Sequence, residues 1–457
     1  MTAISVPTGL FGGVFERGGA AEHTGDAGWL RALLDAEAGL ARAQARVGLI
    51  EPAAAEAIAA ACLPERFDAD ALGRAAAGGG NPVIPLVREL TRAVEGEAAR
   101  HVHKGATSQD IMDTAAMLVA RRACAAIDAD AGALTRELAR SARRHRDTPM
   151  AGRTLLQQAL PTTFGLVAAG WLEAISTAAT RLSDVAGDGL AVQLGGAAGT
   201  LASLGAAGPD VVRAYAAELG LAEPALPWHT DRGRIAELAG ALGRLCGAVA
   251  KAAHDIVLLA QTEVGEVAEE GEAGTGGSST LPHKRNPIAA VSALACAQQA
   301  PALVASLLAS MAQEHQRAAG SWHSEWQPLS RLLCLTGSAV AWLRASVERL
   351  RVDPARMRAN LDLTGGLLLA ERVTTALAAD LGRMAAHELV QDACAEAADG
   401  RRDLADVLAG QAEVRRSREE IAALLDPAGY LGSAGVFVDR ALQRFGARPA
   451  GVEGEEG

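Results

Sequence analysis

Apolar residues recur every three or four positions between Glu237 and Glu263, and this repeat limits the choice of fold more than any other part of the sequence. The repeat consists of Leu238, Leu242, Leu245, Val249, Ala252, Ile256 and Leu259. A period of about 3.5 residues places such side chains on one face of a helix that packs in a bundle. The pattern therefore predicts one helix of about 25 residues, roughly 37 Å long.

Other segments also have helical patterns. Residues 103–148 contain no proline and are predicted to be helical from about Asp110. An apolar run that follows Pro161 predicts another long helix, and Pro301 and Pro328 bracket a fourth helical region. Long helices of this kind bury little surface alone, so we expect them to associate.

Alternation of apolar and polar residues, the pattern of a half-buried strand, is scarce. We expect only short hairpin pieces around residues 191–204. The predicted fold class is therefore all-α.

Two breaks suggest domain borders. Glycines and a proline interrupt the amphipathic pattern at residues 78–82, and Val352, Asp353 and Pro354 precede a run of shorter helices. We predict an N-terminal helical domain, a central helical bundle, a C-terminal helical domain and a disordered acidic tail. Their bounds are residues 1–105, 106–352, 353–447 and 448–457.

The 457 residues carry a net charge of -11, spread along the chain. That balance disfavours sequence-independent binding to nucleic acid, and we expect no nucleic-acid partner. No membrane span is expected. The N-terminal residues lack the pattern of a signal peptide.

The six cysteines lie singly in apolar helical contexts: Cys62, Cys124, Cys246, Cys296, Cys334 and Cys394. They form no CxxC pair and no disulfide framework. We interpret them as buried free thiols of a reducing compartment and predict a cytoplasmic protein.

Residues 271–287 have the composition of a mobile loop that takes a proton from carbon. Glycines crowd the approach, and Ser278 is followed by Lys284 and Asn286. A serine hydroxyl becomes a useful base only where a cation and oriented dipoles stabilise its alkoxide. We predict that Ser278 transfers the proton, that Lys284 supplies the charge and that Asn286 binds a substrate carboxylate.

The sequence resembles the fumarase/aspartase superfamily at three places in the expected order. Residues 277–287, GSSTLPHKRNP, are similar to its GSSxMPxKxNP signature with Leu281 in place of the usual Met, and residues 103–110 and 152–161 resemble its first two conserved regions. The resemblance implies a three-domain all-α subunit. It also implies a homotetramer with a twenty-helix core, in which three subunits contribute to each active site.

The resemblance extends over nearly the whole chain to the carboxymuconate cycloisomerases of this superfamily. Segments that carry it are residues 195–199, 227–230, 321–326 and 425–432. The implied reaction converts 3-carboxy-cis,cis-muconate to 4-carboxymuconolactone in protocatechuate catabolism. A tricarboxylate is thus the implied substrate, and no cofactor is expected.

Leu155 stands where many members of the superfamily have an acid-base His. In the lactonisation read backwards, the leaving group is a carboxylate with a pKa of roughly 4, which departs without protonation. A lyase that releases fumarate from a succinate with another good leaving group, such as nitrosuccinate, remains the alternative. A catalytically silent helical scaffold is a third reading, which the retention of Ser278, Lys284 and Asn286 disfavours.

Further side chains are candidates for binding the substrate and its developing charge. They are His103, Thr107, Ser108, Arg153, Thr154, Gln157 and Arg234, together with Asn286. Thr107 and Ser108 also suit the N-cap of a helix, a role compatible with anion binding. His103 is a candidate for binding substrate or water, with a structural hydrogen bond as the alternative, whereas His229 is predicted to pack near the site.

His315, His323 and Glu325 lie close together in sequence, as the ligands of a metal ion can. The spacing has no HExxH motif and no short Cys/His pairs, and two tryptophans lie among these residues. We therefore expect no metal. His315 and His323 are predicted to border the site or to stabilise a contact between subunits.

Overall fold

A computed structural model describes residues 9–271, 281, 284–400 and 402–447. The fold class predicted from the sequence is confirmed, since helices dominate and the sheets are small. The chain divides into two compact units. The first contains residues 1–131, 177–250 and 292–344, and the second contains residues 132–176, 251–291 and 345–457.

The described residues form nineteen α-helices, numbered here in chain order. The first ten are α1 (Gly12–Phe15), α2 (Ala20–Thr24), α3 (Asp26–Arg46), α4 (Pro52–Ala61), α5 (Ala69–Gly79), α6 (Val83–Ala93), α7 (Ser108–Arg144), α8 (Phe164–Asp188), α9 (Gly208–Leu219) and α10 (Gly233–Leu259). The others are α11 (Ile288–Ala297), α12 (Ala300–Ala309), α13 (Trp326–Glu348), α14 (Pro354–Leu361), α15 (Ala370–Leu381), α16 (Arg383–Gly400), α17 (Leu404–Ala409), α18 (Arg418–Leu424) and α19 (Ala434–Gly446).

The helix predicted from the apolar repeat is α10. All its repeat positions are buried, from Leu238 at 0% exposed to Leu259 at 7%. The helices predicted from Asp110 and after Pro161 are α7 and α8. The region between Pro301 and Pro328 differs from the prediction: α12 ends at Ala309, and helix resumes only with a 3-10 turn at His323–Glu325 before α13.

Two antiparallel strand pairs, one of them a hairpin, supply the named strands of the described chain. Strands β1 (Pro149–Thr154) and β2 (Gln157–Thr163) pair, as do β3 (Val267–Glu269) and β4 (Leu350–Val352). The hairpin expected around residues 191–204 was wrong. That segment makes an isolated bridge between Ala191 and Ala222, and its Gln193 backbone pairs with the Thr114 hydroxyl, so side chains replace a strand partner.

Burial is extensive in both units. In the second unit the C-terminal helices share a cluster that includes Val373, Leu377, Val390 and Leu408. All six cysteines are free, and five of them are buried as predicted, whereas Cys394 is only half-buried. No membrane span was expected from the sequence, but residues 288–309 contain no charged residue and no glycine. Among the described residues, Ile288–Ala309 is long and apolar enough to cross a membrane by length and composition alone, and 39% of its most apolar window is buried.

The predicted domain borders stay a prediction. The last border falls at residue 448, and the tail beyond it lies outside the described residues.

Candidate active site

The first signature segment, residues 103–110, lies in the first unit and leads into α7. Asp110 fixes it, because this fully buried carboxylate accepts a hydrogen bond from the Thr107 amide at 2.9 Å. The same carboxylate accepts from the amides of Gly195 and Gly196 at 3.0 and 2.9 Å and from His229 Nε2 at 2.7 Å. One side chain thus joins two loops at the start of α7.

Glycine is required where these loops meet. A Cβ on Gly195 would lie 2.7 Å from His229 Cε1, and Gly196 has a φ of +67°. His229 is 4% exposed. Its bond to Asp110 agrees with the predicted packing role.

His103 forms a close pair with Glu37 of α3. The His103 Nδ1 lies 2.6 Å from Glu37 Oε1, with the side chains 18% and 0% exposed. Burial lowers the pKa of His103, but the charge and hydrogen bond of Glu37, with a contribution from Asp110, raise it above its ordinary value overall. The pair therefore favours a positively charged imidazole in the signature segment.

Thr107 and Ser108 take different places. Ser108 is the first residue of α7, and Thr107 precedes it. The Thr107 hydroxyl accepts a hydrogen bond from Arg317 Nη1 at 2.9 Å, and Arg317 Nη2 also donates to the carbonyls of Gly196 and Ala197. Arg317 was not predicted from the sequence, yet it brings a cation to the first signature segment.

Arg232 is the centre of a buried ionic network. It donates to Asp113 at 2.9 and 3.0 Å and to Glu325 at 2.7 to 3.1 Å, and all three side chains are at most 3% exposed. Trp322 Nε1 donates to Asp113 at 3.0 Å. Glu325 is thus committed to an arginine, and no cluster of three or more His, Cys, Asp and Glu side chains suited to a metal occurs among the described residues.

Arg234, the predicted carboxylate partner, is half-buried and donates from Nη1 to the Gly189 carbonyl at 2.8 Å. This bond uses one of the five N–H donors of Arg234.

Two further histidines were predicted to border the site or a subunit contact. His315 has a φ of +51°, and its carbonyl accepts from the Thr230 hydroxyl. The His323 ring packs edge-on against Trp322 and at a tilt against Trp326.

The second signature segment forms the hairpin of β1 and β2 in the second unit. Arg153 donates to Glu266 at 3.0 and 2.7 Å, and Glu266 is fully buried. Asn360 Nδ2 donates to the same carboxylate at 2.8 Å. Because both terminal nitrogens of Arg153 are engaged, its predicted substrate contact would have to use its remaining donors.

Thr154 and Gln157 are exposed and face each other across the hairpin end. Leu155 and Leu156 form the two-residue turn between them, with φ of +51° and +65°. They are 97% and 73% exposed. Two leucines in left-handed conformations make a turn that usually selects Asn-Gly, which explains why sequence patterns missed the hairpin.

The predicted catalytic loop is described only in part. Ser278 lies outside the described residues. Lys284 is exposed and its amide donates to the Leu281 carbonyl at 3.0 Å, while Asn286 is half-buried before α11. Glu269 holds the start of α11, since it accepts from the amides of Ala289 and Ala290 at 3.0 and 2.9 Å and from Ser346 at 2.6 Å.

Four side chains that anchor the segments carrying the predicted site residues, three in the first unit and one in the second, were not predicted individually: Glu37, Asp110 and Arg317, and Glu269. Asp110 stood in the quoted signature segment, and a lone Glu37 among the apolar positions of α3 was a detectable signal of a buried pair. Glu269 and Arg317 carry no comparable local signal.

Comparison with known proteins finds lyases and cycloisomerases that are similar to most of this chain. Residues 22–301 match a family described as lyase, and residues 366–441 match the adenylosuccinate lyase C-terminus. A 3-carboxy-cis,cis-muconate cycloisomerase of Pseudomonas aeruginosa is 49% identical over 91% of this chain and 92% of its own length. A nitrosuccinate lyase of Streptomyces davaonensis is 48% identical over 91% of this chain and 90% of its own length.

Solved structures agree. The 3-carboxy-cis,cis-muconate lactonizing enzyme from Pseudomonas putida has a TM-score of 0.90 and 45% identity, covering 96% of this chain and 100% of that one. A fumarate lyase from Mesorhizobium sp. BNC1 has a TM-score of 0.84 and 39% identity, covering 94% and 97%.

Proposed function

Because the chain belongs to the lyase family of the fumarase/aspartase superfamily, we propose that it is a 3-carboxy-cis,cis-muconate cycloisomerase. This intramolecular lyase forms 4-carboxymuconolactone and acts in protocatechuate catabolism, within the β-ketoadipate pathway. The observation that carries the proposal is the near full-length similarity to cycloisomerases in both sequence and structure.

The turn at Leu155 supports the same reaction. An exposed leucine at the tip of the hairpin can neither give nor take a proton. A reaction whose leaving group in the reverse direction is a carboxylate needs no such transfer, whereas release of hydroxide or an amine does. Leu155 therefore fits lactonisation better than it fits fumarase chemistry.

The mechanism assigned to the loop is proton transfer at carbon. A carboxylate oxygen of the muconate forms a bond to one carbon of a double bond, and the other carbon, α to a second carboxylate, receives a proton from Ser278. The intermediate is an aci-carboxylate whose charge lies on oxygen. Lys284 and Asn286 stabilise that charge, since preorganised donors are most effective where charge develops.

Binding is assigned to the remaining polar residues of the signature segments. They are His103, Thr107, Ser108, Arg153, Thr154, Gln157 and Arg234. The positive charge of His103 and the Arg317 cation beside Thr107 support recognition of a tricarboxylate by a chain that is acidic overall.

We also propose that the working form is a cytoplasmic homotetramer with shared sites. Apolar side chains of α11 and α12 support association: Ile288, Val291 and Leu308 are 42%, 43% and 49% exposed. An apolar helix face of this kind is typical of a surface that a partner helix covers.

A nitrosuccinate lyase is the second candidate. The relative from Streptomyces davaonensis is 48% identical to this chain, against 49% for the cycloisomerase of Pseudomonas aeruginosa, and nitrite also leaves without an acid. Leu155 is therefore compatible with both reactions.

The test supplies purified protein with 3-carboxy-cis,cis-muconate and, separately, with nitrosuccinate. We expect loss of the diene's ultraviolet absorbance and formation of the carboxymuconolactone. Release of fumarate from nitrosuccinate without conversion of the muconate would show that the proposed substrate is wrong and that the protein is a nitrosuccinate lyase of the same family.

A further inference from the structure

Glu37 is a buried charge that needs compensation. It lies on α3 among Leu33, Leu34 and Leu40, and its side chain is fully buried. Oε1 is bound to His103, and Oε2 is buried and makes no hydrogen bond within the described part of the chain. A buried carboxylate without a cation carries a large desolvation cost.

The titratable groups around the pair supply no positive charge. Burial raises the pKa of Cys62 to about 12 and raises that of Tyr215, with a contribution from Glu37 in each case, so both stay neutral. Asp110 adds a further negative charge near His103.

The cations of neighbouring segments are engaged elsewhere. Lys104 donates to the Leu49 carbonyl at 3.1 Å, and Arg42 of α3 donates to Glu56. Arg122 donates to Asp35 at 2.5 Å. The imidazole of His103 is therefore the group placed to compensate Glu37.

The geometry leaves one ring nitrogen of His103 for a ligand. Nδ1 is taken by Glu37, and Nε2 makes no hydrogen bond to any described residue. The backbone at His103 is held at a φ of +57°, and the next residue is fixed because its carbonyl accepts from Gln44 Nε2 at 2.6 Å. The position of the ring is therefore set by Glu37 and by the fixed backbone of this segment.

We propose that Glu37 is a positioning residue that keeps His103 as an imidazolium whose Nε2–H binds a carboxylate of the substrate. The proposal rests on the proposed function, which supplies the carboxylate ligand. Glu37 itself does not touch the substrate. It sets the charge and the orientation of the group that does, and a charge-assisted hydrogen bond to a carboxylate is roughly twice as strong as a neutral one.

The Glu37→Gln variant isolates the charge. A glutamine oxygen still accepts from Nδ1–H, so the ring orientation is kept while the negative charge is removed. Burial then lowers the pKa of His103 without opposition, and the imidazole loses its proton at a lower pH. The cation is present below the pKa of His103 in either protein and is lost as the pH rises through it.

We expect the ratio of the KM values of Glu37→Gln and wild type for 3-carboxy-cis,cis-muconate to depend on pH. At about pH 8 the KM of Glu37→Gln rises about tenfold, whereas at about pH 5.5 it approaches that of the wild type. The kcat changes much less, because the proton-transferring loop is unaltered. The control is Glu51→Gln, which removes an exposed carboxylate immediately before α4 and leaves the profile unchanged.

A second measurement decides the matter without substrate. Histidine 13Cε1 NMR of the ligand-free wild type follows the titration of His103, assigned by loss of its signal in His103→Gln. A midpoint above the ordinary range of histidine supports the proposal, and an ordinary or lowered midpoint overturns it, even if Glu37→Gln fails to fold. Failure of the wild type to convert the muconate would count against the proposed function and leave this titration as the test of Glu37.

Discussion

Asp110 accepts a hydrogen bond from His229 Nε2 at 2.7 Å, and neither side chain is more than 4% exposed. Because the other bonds of Asp110 go to the amides of Thr107, Gly195 and Gly196, this pair fixes the loop that carries Thr107 against the loop that carries the glycines.

Asp110→Asn should destabilise the first unit. Both carboxylate oxygens of Asp110 accept from backbone N–H groups, but the side chain of asparagine has only one oxygen, and its NH2 group cannot accept. At least one buried N–H therefore loses its acceptor. We expect a loss of about 3 kcal/mol in the free energy of unfolding. Urea unfolding followed by circular dichroism measures it, with the exposed Asp184→Asn of α8 as a control. Equal midpoints for the two variants would contradict the anchoring role.

Arg232→Met should be more damaging than removal of a surface arginine. Asp113 and Glu325 would remain buried without their cation, at a cost of about 3 to 5 kcal/mol. Arg31→Met is the matched control, because Arg31 is 57% exposed in its pair with Asp35 and its loss costs less than about 1 kcal/mol. Thermal unfolding of both variants tests the difference, and similar midpoints would show that the network contributes little.

The sequence predicted those parts of the molecule that depend on local patterns. The buried stripe of α10 follows from periodicity alone, since every repeat position lies on one helix face. The pair of Glu37 and His103 joins residues 66 apart, and that of Arg153 and Glu266 joins residues 113 apart. Such contacts exist only after the chain has folded, so spacing in the sequence does not reveal them.

The hairpin was missed for a different reason. Its turn residues, Leu155 and Leu156, have the conformation that glycine and asparagine prefer, so the usual turn signal is absent. The first signature segment was recognised, but its anchoring partners Glu37 and Arg317 lie far away in sequence.

Replacing the turn with Leu155→Asn and Leu156→Gly should stabilise the hairpin. Each leucine occupies a left-handed conformation that costs roughly 1 to 2 kcal/mol, and Asn-Gly adopts this turn readily. We expect a raised thermal midpoint together with reduced kcat/KM if the leucines contribute an apolar wall to the site. Leu160→Asn on β2, at 36% exposed, controls for loss of apolar surface. An unchanged or lowered midpoint would mean that the turn is not strained.

Ser278→Ala tests both the proton transfer and the scaffold interpretation. The hydroxyl is the proposed proton carrier, and alanine removes it without adding bulk, so we expect turnover of the muconate to fall by about 10² to 10⁴-fold. The oligomeric state by light scattering and the helicity by circular dichroism should be unchanged, because the substitution removes no other group. Ser279→Ala is the control, since it deletes the adjacent hydroxyl of the same loop. Unaltered turnover in Ser278→Ala would contradict the proton-transfer role of Ser278. A wild-type protein that converts neither the muconate nor nitrosuccinate would instead support the interpretation as a catalytically silent scaffold.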